Sequence, residues 1–218
     1  MNVRKDEKGE KGRVYGGISR EERVAQRREQ FLKAGLEVFG TVGFRGATVR
    51  RLCSEAKLTD RYFYESFANI EALLVAVYNQ QMDLIRDQLL ASAPNNLAAS
   101  DIDSFIVSAL DSFFAQVEDP RVARVCMVEV EGVSPEVDAL YNECITGFAQ
   151  LIMNLGRQLY PNWNINDDES EMVGIALIGA MRQTTITWLL SDYRHKRESL
   201  VAATARIFRG LVADIGKC

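Results

Sequence analysis

The chain has 218 residues, of which 47% are hydrophobic and 26% charged, and only four are proline. That apolar share excludes a disordered chain and allows a sizeable core, and the shortage of proline suits long helices. The net charge of −4 hides an asymmetry: residues 1–67 hold 15 Lys and Arg against 10 Asp and Glu, and the rest hold 11 against 20, so a basic head that fits a polyanion sits on an acidic body.

Residues 1–19 are rich in Gly and charge and read as a flexible basic arm. They lack the apolar stretch of a signal peptide. From Arg20 the pattern is helical: Phe31, Ala34, Gly35, Val38, Phe39 and Val42 form one stripe, and Gly40 and Gly43 mark its end. In "ATVRRLCSEAKLTDRYFYESF" Thr48 caps a short helix whose inner face is Val49, Leu52, Cys53 and Ala56. Lys57 and Leu58 break it, and Thr59 or Asp60 caps a second short helix. Asn69 caps a long helix over about 70–91. Further helices are expected near 101–117, 121–131, 136–160, 168–191 and 196–215, with breaks at "EDP", "GVSP", "YPNWNIND" and "SDYRHKR". No alternating pattern long enough for a sheet interrupts them, so the expected fold class is all-α.

Two short helices around a tight turn form a helix-turn-helix pattern, with Cys53 small enough to let the second helix cross close by. On a wheel of about 100° per residue, Phe63 and Phe67 share the buried face. Arg61 and Glu65 point away, flanked by Tyr62 and Tyr64. That outward set suits a major groove: Arg bridges guanine O6 and N7, Glu accepts from cytosine N4, and Tyr bonds phosphate or touches a thymine methyl. Thr59 and Asp60, at the helix start, enter first. The alternative for the same residues is an Arg61–Glu65 i,i+4 pair between two packed tyrosines.

Residues 27–74 carry the frame "A..VF...GF...TV..L", the helix "A.L...Y.Y..F" and "F.N.EALL". In that order and spacing they resemble the DNA-binding head of the tetracycline-repressor (TetR) family. The resemblance implies an N-terminal helix-turn-helix head at 20–68, followed by a larger helical ligand-binding and dimerisation domain at 69–218. It implies a base contact at Arg50 and phosphate contacts at Thr48 and Val49. It further implies base reading at Asp60, Arg61 and Tyr62, and phosphate or methyl contacts at Tyr64 and Ser66. Two positions depart from the pattern: Lys57 stands where the turn has glycine, and Ile70 where the long helix begins with a phosphate-binding lysine. Arg27, Arg28, Arg45 and the basic arm are left to compensate for Ile70, and the Lys57 ammonium is placed to meet phosphate.

For the body the resemblance implies a small-molecule cavity and a homodimer formed through the last two long helices. Phe105, Phe113, Met127, Phe148, Met153 and Trp188 are large or adaptable residues expected at its ligand-binding wall, against the alternative of plain core. Gly174, Ile175, Ile178, Gly179, Leu200, Ile207 and Leu211 are expected at the dimer contact, against burial within the chain. The expected function is a cytoplasmic transcriptional regulator. It would be a repressor released from palindromic double-stranded operator DNA by a small apolar effector.

Rival readings are a thiol-based redox sensor using Cys126 or Cys144 and a regulator without ligand, which a filled body core would favour. The four cysteines lack metal or disulfide spacing, and reduced thiols are expected. The run "MVGIALIGAM" (172–181) is too short to span a bilayer. "DDESE" (167–171) reads as stabilisation of a helix dipole rather than a cation site. His195, the only histidine, has no recognisable catalytic partners, so neither an enzyme nor a cofactor is expected.

Overall fold

The computed structural model describes residues 19–92, 101–159 and 165–215. The arm and parts of the loops expected at 92–101 and 160–167 lie outside these. The described residues form nine α-helices and no strand: α1 (Arg20–Thr41), α2 (Val49–Ala56), α3 (Asp60–Ser66), α4 (Ile70–Ser92), α5 (Ile102–Gln116), α6 (Pro120–Arg124), α7 (Pro135–Leu159), α8 (Asp167–Leu190) and α9 (Arg197–Ile215). The helix expected over 121–131 is divided. Its second half, Val125–Glu129, is a turn of π-helix.

Local chemistry sets the ends of these helices. Ser19 and Glu22 form a reciprocal capping box at the start of α1, with Glu22 N–H donating to Ser19 Oγ at 3.0 Å and Ser19 N–H to Glu22 Oε2 at 2.6 Å. Thr48 Oγ1 accepts from Arg51 N–H at 3.2 Å and starts α2. Lys57 ends α2 in the left-handed region (φ 55°), and Leu58 N–H returns to the Cys53 carbonyl at 3.0 Å. A side chain there costs about 1 kcal/mol relative to glycine, so the departure at Lys57 is real backbone strain. Thr59 occupies the cap position of α3 without a side-chain bond, while Asp60 Oδ1 accepts from Arg61 N–H at 2.9 Å. Asn69 Oδ1 accepts from Ala72 N–H at 2.7 Å at the start of α4.

The head packs around Phe31, Phe63 and Phe67. The Phe31 ring stands edge-on to Phe63 at 5.4 Å and to Phe67 at 6.5 Å. This cluster continues without a break through Leu73, Val77 and Tyr78 of α4 into α5, the π turn and α9. The head therefore shares its core with the body rather than hanging from a linker.

Gly40 does not end α1. It lies inside the helix, where a Cβ would meet Arg121 Cβ at 2.4 Å and Arg121 Cα at 2.6 Å. The absence of a side chain lets the start of α6 press directly against α1. Gly43, at φ 80°, makes the turn into a short 3₁₀ segment, Phe44–Gly46, with its face against the Glu129 carboxylate.

Arg121 locks this contact. It donates to Glu37 Oε2 at 2.8 Å across to α1, and to both carboxylate oxygens of Asp119. The Asp119 carboxyl is held below the usual range, first by the Arg121 hydrogen bond. Substitution Gly40→Ala is expected to lower unfolding stability by about 1–3 kcal/mol, the range for overpacking a filled contact. Denaturant unfolding followed by far-ultraviolet dichroism measures it.

Candidate functional site: a DNA-facing surface and a body cavity

The helix-turn-helix presents Arg45, Thr48, Arg50, Arg51, Lys57, Thr59, Asp60, Arg61, Tyr64 and Glu65 as exposed residues. The Arg61 side chain is 82% exposed, and Tyr64 62%. Val49 is half-buried and supports α2 from within. Arg51 was missed by the sequence reading. Its exposure beside Arg50 follows from the short α2, whose buried face takes only Leu52, Cys53 and Ala56.

Four expected contacts are engaged inside the head instead. Tyr62 is half-buried, with the Arg27 guanidinium stacked 4.2 Å from its ring centre. Arg28 donates to the Ser66 carbonyl at 3.0 Å and lies 4.3 Å from the centre of the Phe67 ring. Ser66 Oγ donates to the Tyr62 carbonyl at 3.0 Å. Arg27, Arg28, Tyr62 and Ser66 therefore fasten α3 to α1. The even 100° wheel did not anticipate this because α1 crosses the flank of α3 that carries Tyr62.

Glu65 lies between two arginines. It accepts from Arg61 Nε at 3.2 Å and pairs with Arg27 at 3.6 Å, so one carboxylate orients two guanidiniums. Ile70 is half-buried and packs on the core, which gives the departure at that position an apolar role.

The body contains a cavity of about 150 Å³. Its wall draws on α4 (Tyr78, Met82, Ile85), α5 (Phe105, Phe113), the π turn (Cys126, Met127), α7 (Phe148, Met153), α8 (Met181, Arg182) and α9 (Phe208, Leu211). The body core is thus not filled, contrary to what a regulator without ligand would favour.

Of the six residues expected in the wall, Phe105, Phe113, Met127, Phe148 and Met153 are there, and Trp188 is not. Trp188 is core. It stacks edge-on with Phe114 at 6.3 Å and Tyr193 at 4.5 Å, and its Nε1–H donates to the His195 carbonyl at 2.7 Å. His195 contributes that carbonyl, while its ring is exposed beside Arg194.

The thiols of Cys126 and Cys144 both face the cavity, and burial pushes both upward. Burial thus disfavours the thiolate form of both, the opposite of the electropositive setting that activates a reactive cysteine. Among the described residues no group of His, Cys, Asp and Glu is arranged to hold a metal ion. The acidic run at 167–171 begins α8 behind Asn166, whose Oδ1 accepts from Glu169 N–H at 2.9 Å.

The expected dimer residues divide. Gly174 is buried, and a Cβ there would lie 3.0 Å from both Ala149 and Met153 of α7. Leu200 is core, and Ile178 and Leu211 line the cavity. Their apolar faces are used within the chain. Ile175 is half-buried, Gly179 is exposed with nothing within 4 Å of a Cβ position, and Ile207 is 49% exposed.

Residues 31–77 match the model of the bacterial regulatory proteins of the tetR family. Over 187 residues the chain is 20% identical to the fatty acid metabolism regulator protein of Bacillus subtilis (strain 168), covering 85% of this chain and 94% of that protein. Its fold is similar to the fatty acid degradation regulator FadR of Bacillus halodurans, with a TM-score of 0.73 and 18% identity over 83% of this chain and 93% of that one. It is also similar to FadR from Bacillus subtilis in complex with stearoyl-CoA, with a TM-score of 0.71 and 18% identity over 82% and 96% of the two chains. The match across the α1–α4 region gives this part of the chain as a DNA-binding head of the type found in the bacterial regulatory proteins of the tetR family.

Proposed function

We propose that the chain is a repressor that leaves its operator when an apolar effector of fatty-acyl type enters the body cavity. The observation that carries this reading is the double role of the π turn. Cys126 and Met127 form cavity wall. Two residues on, Glu129 Oε2 accepts from the Phe44 amide of the head at 2.7 Å, and its Oε1 accepts from Arg124 Nε at 2.9 Å. Arg124 in turn donates to the Thr41 carbonyl at the end of α1 at 3.2 Å.

A 150 Å³ cavity is benzene-sized. A long acyl chain has to spread its walls, and the π turn transmits that displacement to Phe44. A second route runs through α4, which lines the cavity at Met82 and Ile85 and meets α1 where Gln80 donates to Glu29 at 3.2 Å. The effector shifts the balance only as far as it prefers the spread body to the closed one. The acyl class is supported by the apolar wall and by the stearoyl-CoA bound to the structurally similar Bacillus subtilis FadR.

In this reading residues 20–68 form the head and 69–218 the body. Arg50, Thr59, Asp60, Arg61 and Tyr64 meet DNA directly, with Thr48, Val49 and Lys57 near phosphate, and Glu65 orients Arg61. Homodimerisation uses the open faces of α8 and α9 at Ile175, Gly179 and Ile207. By length and composition α8 is a candidate to cross a membrane, yet it starts with three acidic residues and carries Arg182. Only 22% of its most apolar window is buried inside the chain, which suits a helix that packs on a second copy. Two reading heads then meet two half-sites.

Selection from a random duplex pool, followed by gel-shift titration, tests the proposal. A palindromic sequence is expected to emerge, with affinity falling steeply as salt rises. Stearoyl-CoA is expected to release it, and Arg61→Ala to cost about 1–3 kcal/mol with relaxed selectivity at one base pair. Binding that stearoyl-CoA leaves unchanged would contradict the acyl reading. The paired substitution Gly179→Arg with Ile207→Glu is expected to convert dimer to monomer in sedimentation and to weaken operator binding at least tenfold, since one half-site is lost.

A further inference from the structure

We infer that Arg182 is the polar anchor of the effector, donating from Nε–H to an acceptor oxygen at the end of the apolar chain. The inference rests on the reading that the cavity takes an effector. Arg182 is the one charged side chain among the residues lining the cavity. Its Nε is the one buried side-chain nitrogen or oxygen without a hydrogen-bond partner among the described residues.

Other groups already occupy the far end of the guanidinium. One terminal nitrogen donates to the Met127 carbonyl at 3.0 Å and to Glu131 at 2.5 Å, and the guanidinium carbon lies 5.7 Å from the centre of the Tyr141 ring. These contacts fix the side chain in place and leave Nε–H unused. Burying such a donor without a partner is unfavourable, and more so for a charged group. An incoming acceptor recovers that cost, so the cavity discriminates by the end of the chain as well as by its length.

The outer end of the ion pair reaches solvent. The Arg182 side chain is 24% exposed and that of Glu131 59%. An acyl chain anchored here extends inward along Met127, Phe148 and Met153 and leaves its head toward solvent. Both a free carboxylate and a thioester carbonyl supply the required oxygen. Met127 belongs to the π turn, so the same side chain joins ligand capture to the segment that holds Phe44.

Calorimetric titration of the full chain with hexadecanoate, hexadecanoyl-CoA and hexadecane tests the inference. Arg182→Lys keeps the charge beside Glu131 but removes Nε–H from its position. It is expected to weaken whichever of the first two ligands binds by about tenfold or more, while affinity for hexadecane, which has no acceptor oxygen, changes by less than about threefold. Glu131→Gln disturbs the outer end of Arg182 without touching Nε, and is expected to leave affinity for the acid or thioester within about threefold of wild type. The ligand that shows the loss identifies the source of the oxygen.

Equal losses for hexadecane, or equal losses in Glu131→Gln, would assign Arg182 a structural role and overturn the inference. So would unchanged acid and thioester affinity in Arg182→Lys. If wild type binds none of the three, the effector reading falls with it. If wild type binds them and only the Arg182 dependence is missing, that reading stands and the anchor alone is wrong.

Discussion

The close contact between Gly40 of α1 and the backbone of Arg121 governs how the rest of the molecule is arranged. It brings α6 and the π turn beneath the C-terminal end of the head's first helix. The surrounding polar groups then fall into a linked set: Glu37 with Arg121, Arg121 with Asp119, Arg124 with Glu129 and with the Thr41 carbonyl, and Glu129 with the Phe44 amide. Each pair is partly solvated and worth little alone. Together they fix the orientation of the head, because they grip both the end of α1 and the turn that follows it. A side chain at position 40 would separate the two surfaces and loosen every member of the set.

In the proposed mechanism this joint gives the cavity leverage. The π turn contributes wall residues on one side and the Glu129 carboxylate on the other, within five residues. Such a turn stores an extra residue in a helix, and local rearrangement of that kind is common at functional sites. The DNA-facing surface is built with comparable economy. Arg27, Arg28 and Glu65 spend their charges on holding α3 in place, leaving Arg61 and Tyr64 projecting. Guanidiniums stacked on aromatic rings and a carboxylate shared by two arginines narrow the orientations available before DNA arrives, which lowers the ordering cost of binding.

Much of the fold was legible in the chain. Helical stripes located each main element, and Thr48, Lys57 and Asn69 marked turns and caps that the structure reproduces closely. Five of the six cavity residues were recoverable because large apolar residues on body helices point inward. The joint was not recoverable. Arg121 and Glu37 are 84 residues apart and Phe44 and Glu129 85 apart, so no local spacing connects them. For the same reason Gly40 looked like a helix stop, and Trp188 like cavity wall rather than the core partner of Phe114 and Tyr193. Helix periodicity says that a side chain is inward, but not whether it meets a void or another ring. Arg182 did leave a trace, as the charge that closes the apolar run at 172–181. Its unmatched Nε belongs to the packed structure alone.

The amide of Phe44 reports directly on the link between cavity and head, since its hydrogen bond to Glu129 spans the joint at 2.7 Å. Hydrogen exchange at that single amide, followed with and without saturating stearoyl-CoA, measures whether a filled cavity loosens the joint. Exchange is predicted to accelerate on ligand binding while amides in the middle of α1 keep their protection. Unchanged protection at Phe44, in protein shown to have bound the ligand, would contradict transmission through the π turn.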